Sequence, residues 1–545
     1  MNSALLSGVS GLKAHQKMID VAGNNLANVN TQGFKSSRIT FGDMLGQTIR
    51  QATQANESTG GTNPMQVGTG VQVGMVQRDM SAGSIMSTGQ ALDMAIEGDG
   101  YFALNNGTRD VYTRVGAFGV DENFNLVDPN TGYKLQRIGS EGEADGFQSS
   151  TSTDIKVPYN TALPARSTEQ ITFAGNLSSD EYSPTKNLMT SGTQYTKGGT
   201  VAGVNTLLVD LDQASAALNG ETLTISGAVP DGTAVNTTLA VDGTTTVQDL
   251  LDSINGLYGS DAKASLINGE IRLEDAKEGY SRTDLQITSS NADAIELPKY
   301  FTILAAGGEA VKNTNIEIFD SQGISHVLSA SFVKTDTPNQ WDIVMTNITG
   351  DVELVDRRVE GVTFLADGSY GGIDGSDPTS FQVRFGHDPA NTRTLYLDLG
   401  SEGDFNGLSQ FGGGSTVAPS GQDGYAPGWL SSLSVSPEGV LVGTFTNGVR
   451  RDIAALRLAT FQNPGGLESI GKNYYLPTAN SGDPVATRGL TGGAGAVRGE
   501  SLEGSNVDTA GEFVHLIEGQ NGFQANARTI TISNEMLREL TNLIR

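Results

Sequence analysis

Three short stretches place reactive or ligand-binding residue types at spacings that chemistry uses. Gly466-Leu467-Glu468-Ser469-Ile470-Gly471-Lys472 has the glycine and lysine spacing of a phosphate-binding loop. In such a loop backbone N–H groups cradle the phosphate and the lysine neutralises it. Asn473 follows, so the hydroxyl that would hold Mg²⁺ is missing, and no helix is expected next. Gly98-Asp99-Gly100-Tyr101-Phe102-Ala103 imitates a dinucleotide fingerprint, with an acid, Asp121, about twenty residues on. Asn105-Asn106-Gly107 and another strand-like run come after it, so the required βαβ unit is missing. Asp121, Asn123 and Asn125 copy the first three ligands of a calcium loop. Its sixth position is Leu126 rather than Gly and its twelfth is Gly132 rather than Glu. Each stretch therefore reads as a turn or connection.

The remaining chemistry is sparse. His15, His326, His387 and His515 stand alone in sequence, none in a metal-spaced pair, and are expected to be solvent-facing or structural. There is no Cys, which excludes disulfides, thiolate metal sites and Cys nucleophiles together. No catalytic residue, cofactor-binding residue or metal ligand set is expected, and no enzyme class survives.

The elements that would have to position any site come next. At 545 residues the chain has room for roughly three or four domains. Its 70 glycines and scarce aromatics favour turns and strands. The net charge of −27 arises from 61 acidic against 34 basic residues with no basic block. Such a surface repels nucleic acid and anionic lipid, so neither is expected as a partner. The start lacks a basic region, an apolar run and a small-residue cleavage site, so no cleaved signal peptide is expected. No run approaches the ~18 apolar residues of a membrane span, and no membrane insertion is expected.

Both ends carry an apolar residue at every seventh position: Leu5, Leu12, Ile19 and Leu26, then Leu516, Phe523, Ile530, Leu537 and Ile544. A seven-residue repeat draws one stripe along a helix and asks for a partner helix to cover it. The first helix is expected from an N-cap at Ser3 to about Gly23 or slightly beyond. Gly8, Gly11 and Gly23 interrupt it, each costing about 1 kcal/mol against Ala, so it needs cover from elsewhere. The last helix is expected from Asp508 or Thr509, with Glu512 as capping-box partner of Thr509. Polar Gln520, Asn534 and Thr541 at alternate seam positions would fix register. Gly519-Gln520-Asn521-Gly522 should weaken the helix locally.

Between the ends, residues 51–69 are polar and read as an extended linker. Strand-like alternation begins at Val71, Val73 and Met75, with further strands at 92–96, 101–104 and 111–114. A second such run spans 433–460, with Asn447-Gly448 as a hairpin turn. A helix at 246–254 and a hairpin about Asn268-Gly269 form a miniature unit, and 311–350 is again strand-like around Phe332 and Trp341. The fold class is a mainly β multi-domain body with paired terminal α-helices of coiled-coil type, in nested, discontinuous domains. Residues 1–30 and 505–545 form the terminal helical coiled-coil domain, and 31–70 an extended linker. Residues 71–150 with 425–504 form an inner β domain, 151–182 with 300–424 an outer one, and 183–299 an outermost insertion.

The segment Asn24-Asn25-Leu26-Ala27-Asn28-Val29-Asn30-Thr31-Gln32-Gly33-Phe34-Lys35 closely resembles the signature of bacterial flagellar rod and hook proteins. The tail, from Leu502-Glu503-Gly504-Ser505-Asn506-Val507-Asp508 through Gln524-Ala525-Asn526-Ala527 to Asn542-Leu543, is similar to the matching C-terminal segment. Residues 97–102 and 112–135 resemble the inner β domain of the same family. Gln422-Asp423-Gly424-Tyr425, Phe461-Gln462-Asn463-Pro464-Gly465-Gly466-Leu467 and Phe319-Asp320-Ser321-Gln322-Gly323 are similar to hook rather than rod proteins, which lack large insertions. Residues 246–255 resemble a small motif of flagellin-like and hook insertions.

The resemblance implies a non-enzymatic subunit that polymerises into a curved, flexible tube, transmits torque from rod to filament and encloses the export channel. The stripes would be the assembly seam, and Asn24, Asn25, Leu26, Ala27, Asn28, Thr31, Gly33 and Phe34 the signature. Phe41 and Leu45 match the family's export-gate motif. The implied partners are the chain itself as a helical homopolymer, the distal rod protein, the hook cap protein, the hook-filament junction protein, the flagellar type III export gate and the hook-length control protein. The implied location is the extracellular hook, after export without a cleaved signal peptide. Some hooks are cross-linked through a Cys, which this chain lacks. A distal rod or hook-associated junction protein is the alternative within the family, and a β-rich surface adhesin the alternative outside it.

Overall fold

A computed structural model of the chain describes residues 2–56, 59–374 and 379–543. It divides into two compact units, Met1–Leu163 with Gly428–Arg545, and Pro164–Pro427. No helix among the described residues is long and apolar enough to cross a membrane.

The first unit begins with α1, Asn2–Ala27, which carries no break at its glycines. Ser3 lies inside this helix instead of capping it, and the helix outlasts Gly23 by a turn. The expected linker is a two-stranded arm. β1, Ser37–Asp43, pairs antiparallel with β4, Val71–Arg78, and β2, Gln47–Arg50, pairs with β3, Met65–Val67. Bridges Thr53↔Thr62 and Asn56↔Thr59 carry the pairing toward the tip. Of this arm, the alternation at Val71, Val73 and Met75 marks β4 in sequence, whereas β2 and β3 are missed for a physical reason. Alternation marks a strand only where one face is buried, and every residue of β2 and β3 is exposed.

The β body of this unit joins early and late strands. Met94–Glu97 pairs with Ala496–Gly499, and Ile85–Ser87 with Ser501–Glu503. Tyr101–Asn105 sits between Asp110–Thr113 and Lys134–Leu135 in a nine-stranded sheet that also takes in Tyr474–Leu476. Tyr101, Tyr112, Phe461 and Tyr475 meet there edge to face, at centroid separations of 5.1–5.8 Å. The hairpin about Asn447-Gly448 joins Val440–Phe445 to Arg450–Leu456, with Gly448 at φ 80°. The chain returns to α3, Thr509–Leu543. This helix is continuous through Gly519 and Gly522, where a weakness is expected from sequence.

In the second unit, Val311–Phe319, Ser325–Lys334, Gln340–Ile348, Arg358–Phe364 and Tyr370–Ile373 form one sheet. It shares a core with a six-stranded sheet built around Gln170–Ser178, where Phe173 meets Phe332 edge-on at 5.3 Å and Trp341 is fully buried. The inserted stretch packs α2, Val247–Tyr258, over three- and four-stranded sheets. Thr246 and Asp249 cap α2 reciprocally, and Asn268-Gly269 turns the hairpin with φ of 52° and 79°.

Candidate functional site

α1 and α3 pack antiparallel. The close approach is made by glycines, the residues read from sequence as weaknesses. A Cβ on Gly8 would meet Ile530 Cγ1 at 3.0 Å, and one on Gly11 would meet Asn526 Oδ1 at 2.5 Å. Across the seam, a Cβ on Gly519 would meet Ile19 Cγ1 at 2.8 Å, and one on Gly522 the His15 ring at 2.5 Å. Ile19 and Ile530 are thus knobs, each filling the hole that a facing glycine leaves. Ala14 and Ala22 are buried beside them. Leu5, Leu12, Leu26, Leu516 and Phe523 are half-buried along the same pair, and Leu537 is 39% exposed. Ile544 lies outside the described residues.

The signature segment builds the joint between this pair and the β body. Asn25 is completely buried. Its Oδ1 accepts from Ser37 N at 2.9 Å, and its Nδ2 donates to Ser37 O and to Glu512 Oε1, both at 2.8 Å. One side chain thereby closes the turn from α1 into β1 and clamps α3 to both. The expected Thr509–Glu512 capping box is replaced: Asp508 Oδ1 accepts from Ala510 N at 3.1 Å, and Glu512 serves Asn25. Asn28 holds the turn, donating to Asn24 O at 2.9 Å and accepting from Thr31 Oγ1 at 3.1 Å. Gly33, at φ 63°, donates to Glu503 O at 2.9 Å, and a Cβ there would press on Val115 N at 3.1 Å. From the tail, Asn506 Oδ1 accepts from Ser36 N at 2.7 Å while its Nδ2 donates to Asp79 O at 2.9 Å. Asn506 N also donates to Phe34 O at 3.3 Å. The two resembling segments are stitched to each other.

Beneath the joint lies a buried charge cluster that sequence reading did not find. Lys35 Nζ is 2.6 Å from Glu503 Oε1 and also donates to Ser81 O at 2.7 Å. Arg114 NH1 stands 3.4 Å from Glu503 Oε2, and its guanidinium lies 5.1 Å over the Tyr101 ring. Gly83 N donates to Glu503 Oε1 at 2.8 Å. The Lys35 and Glu503 side chains have no exposed surface. Burial pulls the Lys35 ammonium below its usual range, and the attraction of Glu503 opposes it. A buried ionic cluster of this kind adds little net stability, but removing one member strands the others, so it enforces a single arrangement. The available signal was Lys35 closing an apolar-flanked segment and Glu503 following Leu502 in a strand.

The three chemical look-alikes are resolved by their surroundings. Asp121 Oδ1 accepts from the main-chain N–H groups of Asn123 and Asn125, and Oδ2 from Asn125 Nδ2, so the carboxylate is spent on its own turn. Gly98 and Gly100 lie between the strands Met94–Glu97 and Tyr101–Asn105. The stretch from Gly466 to Lys472 is a strand, Glu468–Gly471, entering a hairpin. Two of the four isolated histidines do converge: His326 Nε2 and His387 Nδ1 lie 3.5 and 3.4 Å from Asp320 Oδ2. Among the described residues no three His, Asp or Glu side chains are arranged to hold a metal ion. Phe41, on β1, has its ring 5.8 Å from that of His15, and Leu45, between β1 and β2, is 93% exposed.

Residues 5–35 match the family described as flagella basal body rod protein, and 95–177 that of the flagellar hook protein FlgE/F/G D1 domain. Residues 289–425 match the flagellar basal body protein FlaE D2 domain, and 498–543 the flagellar basal body rod FlgEFG protein C-terminal segment. The chain is 32% identical to the flagellar hook protein FlgE of Borreliella burgdorferi and 31% identical to that of Treponema pallidum, each across the whole of both chains. It is 26% identical to the flagellar hook protein FlgE of Escherichia coli, over 99% of this chain and all of that one.

Proposed function

The chain belongs to the flagellar hook protein family, and on that footing we propose that it is the structural subunit of a flagellar hook. Copies polymerise through the α1–α3 pair into a curved tube that couples rod to filament and encloses the export channel. The observation that carries this reading is the helix pair's unfinished surface. The glycine seam satisfies one face, while Phe513, Val514, Ile517, Ile532, Met536 and Leu540 remain exposed on α3. An apolar band of that length calls for neighbouring helices. Leu5, Leu12, Ile19 and Leu26 with Leu516, Phe523 and Ile530 then serve assembly through the pair that they help to close, and Leu537 and Ile544 continue the stripe in sequence.

In this reading residues 1–30 and 505–545 line the channel, 71–150 with 425–504 form the tube wall, and the remaining β domains face outward. The hairpin arm carries Phe41 and Leu45 as the export signal read by the type III gate. The subunit is exported with an uncleaved start and works outside the cell. Its other partners are the distal rod, hook cap, hook-filament junction and hook-length control proteins.

Deleting residues 511–545 tests the seam. The truncated protein should stay soluble with its β body folded and form no tubes by electron microscopy. Normal tubes from it would remove the helix pair from assembly. Short straight rods from the full chain would favour a distal rod or junction protein, and intact swimming in a deletion strain would favour an adhesin.

A further inference from the structure

α3 outruns its partner. With Gly8 against Ile530 and Gly11 against Asn526, the antiparallel register exhausts α1 near residue 535, and every residue from 534 to 543 is exposed. Met536, Leu537, Leu540 and Leu543 are the apolar groups of this overhang, and its charges are Arg538 and the acids Glu535 and Glu539, which lie one turn apart. Propagation alone adds little stability to such turns in water, and packing of their apolar face would supply most of it. At the opposite end of the same pair lies a cavity of about 530 Å³ between α1, β1, β4 and the start of α3. Met18, Val21, Phe41 and Met80 supply its apolar lining, and Arg38 and Arg78 its positive charge. The acids in that lining are already engaged: Glu512 accepts from Asn25, and Asp79 Oδ1 accepts from Ser81 N at 3.0 Å.

We propose that this cavity is the socket for the α3 overhang, residues 535–543, of a second copy of the chain. This docking rests on the hook reading and deepens it by naming the contact. Three properties of the overhang fit the socket. Its apolar residues meet an apolar lining, and Glu535 and Glu539 meet Arg38 and Arg78. The carbonyl-rich end of a helix also favours nearby cations. Tip and socket continue one seam, because Leu537 extends the Leu516–Phe523–Ile530 stripe whose other end borders the cavity. Since each copy offers one tip and one socket, the contact is heterologous. It repeats without closing, the symmetry of an open filament.

Two engineered cysteines in the otherwise Cys-free full chain test this: Gln77→Cys at the socket and Met536→Cys at the tip. Along α3 the two sites are roughly 30 Å apart within one copy, at 1.5 Å per residue, whereas a disulfide needs Cα atoms within about 7 Å. Any link between them therefore joins two copies. Oxidised polymer carrying both substitutions should run as a ladder of dimers, trimers and longer species on a non-reducing gel, and each single variant should give at most a symmetric dimer. As a second arm, Arg78→Glu and Glu539→Arg should each cut tube yield at least tenfold, and the combined variant should restore it. Polymer that forms normally, gives no ladder and shows no rescue overturns the docking and leaves the hook reading intact. If the unaltered chain forms no polymer, the hook reading fails and the docking fails with it.

Discussion

Asn25 and Glu512, separated by 487 positions in sequence, are joined by a 2.8 Å hydrogen bond from Asn25 Nδ2 to Glu512 Oε1. Because the same amide also holds both main-chain groups of Ser37, it fixes three elements at once. Asn25→Ala should lower stability by about 2–3 kcal/mol, near 1 kcal/mol for each lost buried bond. Asn25→Asp preserves shape and one acceptor but sets a carboxylate against Glu512. At pH 7 it should therefore be at least as damaging as Ala, and it should recover as the pH falls below about 5 and the pair gains a proton. Urea unfolding of both variants at pH 7 and pH 4.5 is the measurement. An Asp variant that gains nothing on acidification would mean that the amide's hydrogens are unimportant.

The cluster below the joint makes a different demand. Glu503→Gln leaves Lys35 and Arg114 without their shared counter-charge and should cost about 3–5 kcal/mol, the usual penalty for a stranded buried ion. Lys35→Met alone should also destabilise, because Glu503 keeps only Arg114 and Gly83 N. The double variant Lys35→Met/Glu503→Gln should cost at least 1 kcal/mol less than the sum of the two singles, since neither member is left facing the other's absence. Strict additivity in equilibrium unfolding would show that the residues act independently.

Glycines in α1 divide by what they face. Nothing beyond its own helix backbone would lie within 4 Å of a Cβ at Gly23, whereas one at Gly11 would meet Asn526 Oδ1 at 2.5 Å. Gly23→Ala should therefore gain up to about 1 kcal/mol from helix propensity. Gly11→Ala should lose about 1–3 kcal/mol to overpacking despite the same propensity gain. Circular dichroism during thermal unfolding reads both, and equal shifts would argue against a glycine-to-side-chain seam.

The same glycines mark where sequence stops being legible. Heptad spacing located both helices because it repeats within one element. It said nothing of Gly519 and Gly522 as holes for Ile19 and His15, since the hole exists only when the partner helix is present. α2 and its hairpin were readable for a similar reason: the Thr246–Asp249 cap and the Asn268-Gly269 turn are local. In the arm from β1 to β4 only Val71, Val73 and Met75 alternate in sequence, and the other strands went unread, because neither face of the arm is covered for most of its length. Lys35, Arg114 and Glu503 each look like ordinary surface charges until strands from both ends of the chain enclose them.

Acid should weaken the inserted element around α2 through carboxylates that hydrogen bonds hold below their ordinary range. Asp242 is brought down from 3.8 to about 2 by the Thr244 hydroxyl and N–H and by the Thr245 hydroxyl. Asp249 is lowered by Thr246 N–H and hydroxyl at the helix cap. Between about pH 4 and 2 the unfolded chain binds these protons before the folded chain does, so stability falls as the pH falls. The contribution is fully present above the ordinary carboxylate range and gone once the pH passes below the folded value. Asp275, which burial holds above the usual range, titrates in the opposite sense. The melting midpoint of the full chain should be flat from pH 7 to 5 and should drop from pH 4 to 2. Asp242→Asn should melt earlier at pH 7, because the Thr244 N–H and the Thr244 and Thr245 hydroxyls all donate to Asp242 Oδ1, and a neutral amide oxygen accepts them more weakly than a carboxylate oxygen. Its curve should converge with that of the unaltered chain near pH 2, where protonated Asp242 is the near-equivalent of Asn. Parallel curves across that range would mean that the Thr244–Thr245 turn does not depend on the charge of Asp242.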